Sequence, residues 1–139
     1  MAVVASSEQY VGLVLVSHSA EIANGLAGLV AQVAGTDVPV IAAGGMPDGS
    51  FGCDGGEVLE AIRTAGNGAG AVVLMDLGSS VLAVRAALAE LEPVELEHIV
   101  VVDAPFVEGA VAAGVTASTG ADVEEVAEAA REARGVAKL

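Results

Sequence analysis

A three-layer α/β/α fold on a mainly parallel four-stranded sheet is predicted by the pattern of apolar residues. Short continuous runs of Val, Leu and Ile alternate with stretches whose apolar residues recur at helical spacing. The runs lack polar alternation, as strands buried on both faces do. The length of 139 residues is enough for one domain with a real core.

Residues 1–10 (MAVVASSEQY) read as a tail leading into the first strand, and residues 11–139 as the domain. Residues 11–16 (VGLVLV) form the first strand, which ends in Ser17, His18 and Ser19. Ile22, Leu26, Leu29, Val30 and Val33 then give a helical stripe, with Ser19 as N-cap and Glu21 in the first turn. Residues 38–43 (VPVIAA) form the second strand and run into Gly44, Gly45 and a polar, Gly-rich loop through Gly52. Asp54 and Glu57 read as a capping box for a second helix, whose stripe is Val58, Leu59 and Ile62. Asn67-Gly68 marks a turn. Residues 71–75 (AVVLM) form the third strand, which ends at Asp76. Gly78, Ser79 and Ser80 open a third helix that carries Val81, Leu82, Val84, Leu88 and Leu91 and stops before Pro93. Residues 99–102 (IVVV) form the fourth strand. A short helix over residues 107–115 follows, and Asp122 with Glu125 starts an amphipathic C-terminal helix reaching about Arg134. This βαβαβαβ order implies parallel pairing with helices on both faces.

Composition narrows the function. Five basic residues against nineteen acidic ones give a formal net charge of −14. Nucleic acid and anionic membranes are poor partners for such a surface, because phosphate binding needs clustered Lys and Arg. A protein with a basic docking face fits better, although the acidity also serves simply to keep an Ala-rich surface soluble. No apolar run approaches the ~20 residues of a spanning helix. The N-terminus carries no Lys or Arg of the kind a secretory signal needs. One cysteine, Cys53, excludes an internal disulfide and fits a reducing compartment. A cytoplasmic location is the expectation.

In a parallel sheet, ligands bind beyond the carboxyl ends of the strands. Four loops fall there: 17–19, 44–54, 76–80 and 103–108. His18 lies between a buried strand and the first turn of a helix. The positive end of that helix disfavours an imidazolium, and its free N–H groups can receive an anion. The position suits a histidine that becomes phosphorylated; it also suits one that merely caps the helix. Asp76 can lie beside it and accept one ring N–H, leaving the other nitrogen free to attack. An N-cap or turn aspartate is the plainer reading. Gly78, Ser79 and Ser80 can donate to a phosphoryl group or act as ordinary caps. Gly44-Gly45 and the stretch 49–56 can cradle an oxyanion, yet no Walker lysine or G-x-G-x-x-G spacing accompanies them. His98 is expected on the opposite rim, so no histidine pair and no metal site is expected. A receiver domain phosphorylated on Asp76 lacks its acidic pair after the first strand and its Lys after the fourth. A non-catalytic anion-binding module is the remaining alternative.

The motifs VGLVLVSHS, AAGG…FGCD, VVLMDLGSS and DAPFVEGAVAA, in this order over residues 11–130, resemble one family. They are similar to the phosphotransferase subunit of the phosphoenolpyruvate-dependent dihydroxyacetone kinase, a relative of the mannose-type IIA domains of the sugar phosphotransferase system. The resemblance implies a mannose-type IIA-like fold and a phosphoryl group carried on His18. Asp76 then orients that histidine, and Gly78 and Ser79 match the small-residue loop over the phosphoryl site. From their places at the strand ends, Ser19 and Gly45 are expected to bind the phosphoryl group with them. The implied donor is the phosphocarrier protein HPr, charged by enzyme I. The implied acceptor is ADP on the nucleotide-binding kinase subunit. No cofactor is implied beyond the transient phosphohistidine, and a homodimer is. Some relatives carry fused carrier and enzyme I domains; this chain is too short for them, so a separate donor is expected. Ser-His-Ser at 17–19 and APFVEG at 104–109 resemble the kinase branch more than a transport IIA, which remains the alternative. Cys53 departs from the hydroxyl residue, usually Thr, that relatives carry there.

Overall fold

The computed structural model describes residues 10–139; all but Tyr10 of the tail over residues 1–10 lies outside them. The elements follow as β1 (Gly12–Ser17), α1 (Ala20–Ala34), β2 (Val40–Gly44), α2 (Gly55–Ala65), β3 (Ala71–Met75) and α3 (Gly78–Ala89). Then come α4 (Pro93–Leu96), β4 (Ile99–Val101), α5 (Phe106–Ala117), α6 (Val123–Glu132) and a 3₁₀ turn over Ala133–Gly135. All strand pairs are parallel, in the order β2-β1-β3-β4.

β1 is the centre of the molecule, and all six of its residues are buried. Its side chains alternate between the faces, as a strand's must. Leu13 and Leu15 pack with Leu26 and Val30 of α1 and with Ala113 and Val126 of α5 and α6. Val14 and Val16 pack with Val58 and Ile62 of α2 and Val84 of α3. The result is the predicted three-layer α/β/α fold. Each such Val, Leu or Ile contributes about 1.5–3 kcal/mol when fully removed from water.

α1 departs from its predicted face. Its buried residues are Ala23, Leu26, Val30 and Ala34, whereas Ile22, Leu29 and Val33 are exposed. Close packing sets this rotation. A Cβ on Gly114 of α5 would lie 2.6 Å from Val30 Cγ1, so small residues let the two helices approach where larger ones cannot. Pro93, read as a stop, is the first residue of α4, which Glu92 and Glu95 close with a reciprocal capping box. Asp54 is the N-cap of α2, but its side chain makes no capping hydrogen bond. No helix among the described residues is long and apolar enough to cross a membrane.

Candidate functional site

The connection from β2 passes over β1 to β3, so strand order reverses between β1 and β3. A crevice beyond the carboxyl ends of such strands is the usual ligand position in an open α/β sheet. His18 follows β1 and Asp76 follows β3, so the fold brings both to this point. His98 is exposed, just ahead of β4 on the opposite rim.

Register explains the centre of the site. Val16 pairs with Met75, so the next residues, Ser17 and Asp76, lie side by side. Ser17 Oγ donates to Asp76 Oδ2 at 2.6 Å, and Ser80 Oγ donates to Oδ1 at 2.6 Å. The Leu77 N–H donates to Oδ1 at 2.6 Å. The His18 N–H is shared between the two carboxylate oxygens at 3.2 and 3.3 Å. Partial burial is the largest single influence on Asp76 and disfavours its charge. The bonds from Ser17, Ser80, Leu77 and His18 together outweigh it and hold the carboxyl below its ordinary range.

Asp76 was expected to accept an N–H of the imidazole. Its carboxylate instead holds the histidine's backbone and two serine hydroxyls, because the register sets it against the β1 main chain. The ring's partner is Ser79, whose Oγ lies 2.5 Å from His18 Nδ1. Nε2 has no hydrogen-bond partner among the described residues. The ring is half-buried. Phe51 lies nearly parallel to it, with 6.5 Å between centroids and 8° between planes.

The remaining predicted residues divide between scaffold and rim. Ser19 is 8% exposed and committed to α1: its hydroxyl accepts from the Ile22 N–H at 3.3 Å, and its N–H donates to Ser17 Oγ at 3.0 Å. Gly45 is buried with φ +75°, and a Cβ there would lie 3.0 Å from Ala20 Cβ. Only glycine allows the β2–α2 loop to seat against the start of α1. That loop is fixed to the histidine by the Gly52 N–H, which donates to the His18 carbonyl at 2.8 Å. Gly78 and Ser79 are exposed in the first turn of α3, where backbone N–H groups have no intrahelical partner. Their hydrogens therefore remain for an anion beside the ring.

Sequence reasoning missed Ser17 and Ser80 as donors to the carboxylate, although each is fully buried. The legible signal was a serine ending an otherwise apolar central strand. It also missed Phe51. Cys53 Sγ lies 3.4 Å from the Ser17 carbonyl and 3.4 Å from Ser80 Oγ. The thiol thus borders the carboxylate network and is separated from Asp76 by Ser80. Among the described residues, no group of three or more His, Cys, Asp or Glu is placed to hold a metal ion.

Residues 12–127 match the model of the EIIA-man family, the PTS system fructose IIA component. The chain belongs to this family. Among its relatives is the phosphoryl donor subunit DhaM of the PEP-dependent dihydroxyacetone kinase of Pantoea ananatis, 39% identical over 126 residues. That match covers 88% of this chain and 27% of the relative, so the chain spans about a quarter of that protein's length. The phosphotransferase subunit DhaM of Lactococcus lactis is 32% identical, with 84% of this chain and 90% of that protein covered. A crystal structure of a protein of unknown function, EF1359, superposes with a TM-score of 0.76 at 32% identity, covering 86% of this chain and 92% of that one. As a family member, the chain has a mannose-type IIA fold, and the candidate site lies at the β1–β3 crevice of that fold.

Proposed function

We propose that the chain is the phosphocarrier of a phosphoenolpyruvate-dependent dihydroxyacetone kinase, carrying a phosphoryl group on Nε2 of His18. The single observation behind this reading is the imidazole at the strand-order reversal, with Nδ1 engaged by Ser79 and Nε2 unpartnered among the described residues. The names of the relatives support the kinase branch over a sugar-transport IIA.

The chemistry follows from that placement. For Nε2 to hold a lone pair, the neutral ring carries its proton on Nδ1, and Ser79 Oγ accepts it. Nε2 attacks the phosphorus of the donor's phosphohistidine in line; the donor's P–N bond breaks as the new one forms. Such a transfer asks the protein mainly for positioning and charge stabilisation. Asp76 positions the His18 main chain, and the N–H groups of Gly78 and Ser79 face the incoming oxyanion. In the second half-reaction a terminal phosphate oxygen of ADP, bound on the nucleotide-binding subunit, takes the phosphoryl group and returns the ring to its neutral form. We assign HPr as the donor and the cytoplasm as the setting. A receiver-type phosphorylation of Asp76 is disfavoured because both carboxylate oxygens are occupied by donors. A homodimer is supported by the exposed apolar stripe of Ile22, Leu29 and Val33 on α1.

The test mixes the purified chain with HPr, enzyme I and labelled phosphoenolpyruvate. Wild type takes up acid-labile, alkali-stable label, and His18→Ala takes up none. Equal labelling of His18→Ala overturns the reading. Delivery of the label to a transporter IIB domain, but not to ADP on the kinase subunit, moves the chain to the transport branch.

A further inference from the structure

Besides its histidines the chain has only Tyr10, Phe51 and Phe106 as ring-bearing side chains. Tyr10 and Phe106 pack against the apolar core. Phe51 is 76% exposed, so removal from water contributes little to its place. The loop that carries it is nevertheless closely built. The Met46 N–H donates to the Ser50 carbonyl at 2.9 Å, and the Gly49 N–H donates back to the Met46 carbonyl at 2.9 Å. The Asp48 carboxylate accepts from the Ser50 N–H at 2.9 Å and from the Ser50 hydroxyl at 2.5 Å. Gly52 has φ +136°, and a Cβ there would lie 3.0 Å from Met46 Cγ, so glycine lets the loop close on itself. The Gly52 N–H, next in the chain to Phe51, is the one bonded to the His18 carbonyl. The loop therefore sets the Phe51 ring relative to the histidine's own backbone.

Resting on the phosphocarrier reading, we infer that Phe51 is a positioning residue for phosphoryl transfer: its ring fixes the plane of the His18 imidazole, as Ser79 fixes which edge is presented. The Nε2 lone pair lies in the plane of the ring and must point at the phosphorus for an in-line attack. The imidazole turns about its Cβ–Cγ bond, a torsion with broad wells. The hydrogen bond between Ser79 Oγ and Nδ1 chooses the nitrogen left open. It still permits the ring to tilt about that single contact. A restraint on the face of the ring removes the tilt, and Phe51 supplies it. The planes differ by 8°, and the 6.5 Å between centroids lies within the span over which aromatic pairs attract. The restraint comes from a flat face and not from apolar bulk, which an aliphatic side chain would supply equally. The exposure of Phe51 follows from the same role. The ring it orients has to meet a donor, so the residue that holds its plane stands at the surface.

The test has two readouts on the full chain. Nuclear Overhauser spectra of wild type should show contacts between the ring protons of Phe51 and those of His18, a measurement that needs no phosphoryl transfer. Single-turnover labelling by phosphorylated HPr, over a series of donor concentrations, reads the rate. Phe51→Leu should lower the rate at saturating donor about fivefold, as loss of an aromatic pair does, and leave the half-saturating concentration unchanged. Phe51→Tyr, which keeps the flat face, should restore the rate. Absent ring contacts, a Phe51→Leu rate equal to wild type, a loss confined to the half-saturating concentration, or a Phe51→Tyr variant as slow as Phe51→Leu would each overturn the inference. Failure of wild type to take label on His18 would sink the carrier reading, whereas those four outcomes sink only the role of Phe51.

Discussion

Ser80→Ala isolates the cradle around Asp76. The serine is fully buried, and its hydroxyl donates to Oδ1 at 2.6 Å. Alanine fills nearly the same space, so the change removes a hydrogen bond without opening a cavity. A hydrogen bond to a charged group contributes about 1.5–3 kcal/mol. Oδ1 keeps the Leu77 N–H, which places the expected loss near the lower part of that range, at about 2 kcal/mol. Because ~1.4 kcal/mol is a factor of ten, the folded-to-unfolded ratio should fall about thirtyfold. The effect has a definite pH dependence. The folded-state value of Asp76 is depressed, so the stabilisation is fully present above the unfolded value of about 3.9 and is lost as pH falls through the lower folded value. Urea unfolding at pH 7, 5 and 3 reads it as a shift in midpoint at constant slope. The difference between wild type and variant should be full at pH 7 and 5 and should shrink at pH 3. A difference below about 0.5 kcal/mol at pH 7, or an equal one at pH 3, refutes the account of the carboxylate.

Asp76→Asn should fold but lose about 1–3 kcal/mol, because an amide NH₂ at either oxygen position faces a backbone N–H donor; the same denaturation series measures it, and phosphoryl uptake should slow with it. Ser79→Ala removes the partner that His18 Nδ1 has among the described residues and should slow phosphoryl uptake about tenfold by releasing the ring's orientation, roughly 1.4 kcal/mol of barrier, with the thermal midpoint nearly unchanged; rapid-quench labelling and calorimetry separate the two. Gly45→Ala meets both a positive φ and a Cβ 3.0 Å from Ala20 Cβ, so a loss of about 1–3 kcal/mol in chemical denaturation is expected.

The strands were legible because their runs are almost purely apolar and their ends carry the few polar residues. β3 matches its predicted bounds, and β1 shifts by one residue. The adjacency of His18 and Asp76 was equally readable, since it follows from topology alone. Their contact was not. Which atom of the histidine meets the carboxylate depends on register to a single residue, and the pattern of apolar types does not reach that far. The same limit appears on α1. A helix with apolar residues on several sides gives no unique inward face, and alanines at 23 and 34 were chosen by close packing over the larger Ile22 and Val33. α4 was hidden because proline ends helices as often as it begins them, and only the Glu92–Glu95 pairing distinguishes the two.

The four groups that grip Asp76 come from both sides of a long detour: Ser17 and His18 before it, Leu77 and Ser80 after it, with Ser17 and its acceptor 59 positions apart in the chain. Leu77 and Ser80 can bond the carboxylate locally, but the chain must lay down β2 and α2 and return across the sheet before Ser17 and His18 complete the cradle. A partly folded molecule has the histidine but neither Asp76 nor Ser79 to hold it, so on the proposed phosphocarrier reading a chain stalled before the crossover accepts no phosphoryl group. The rate at which phosphoryl uptake returns on refolding should then trace the docking of β3 on β1.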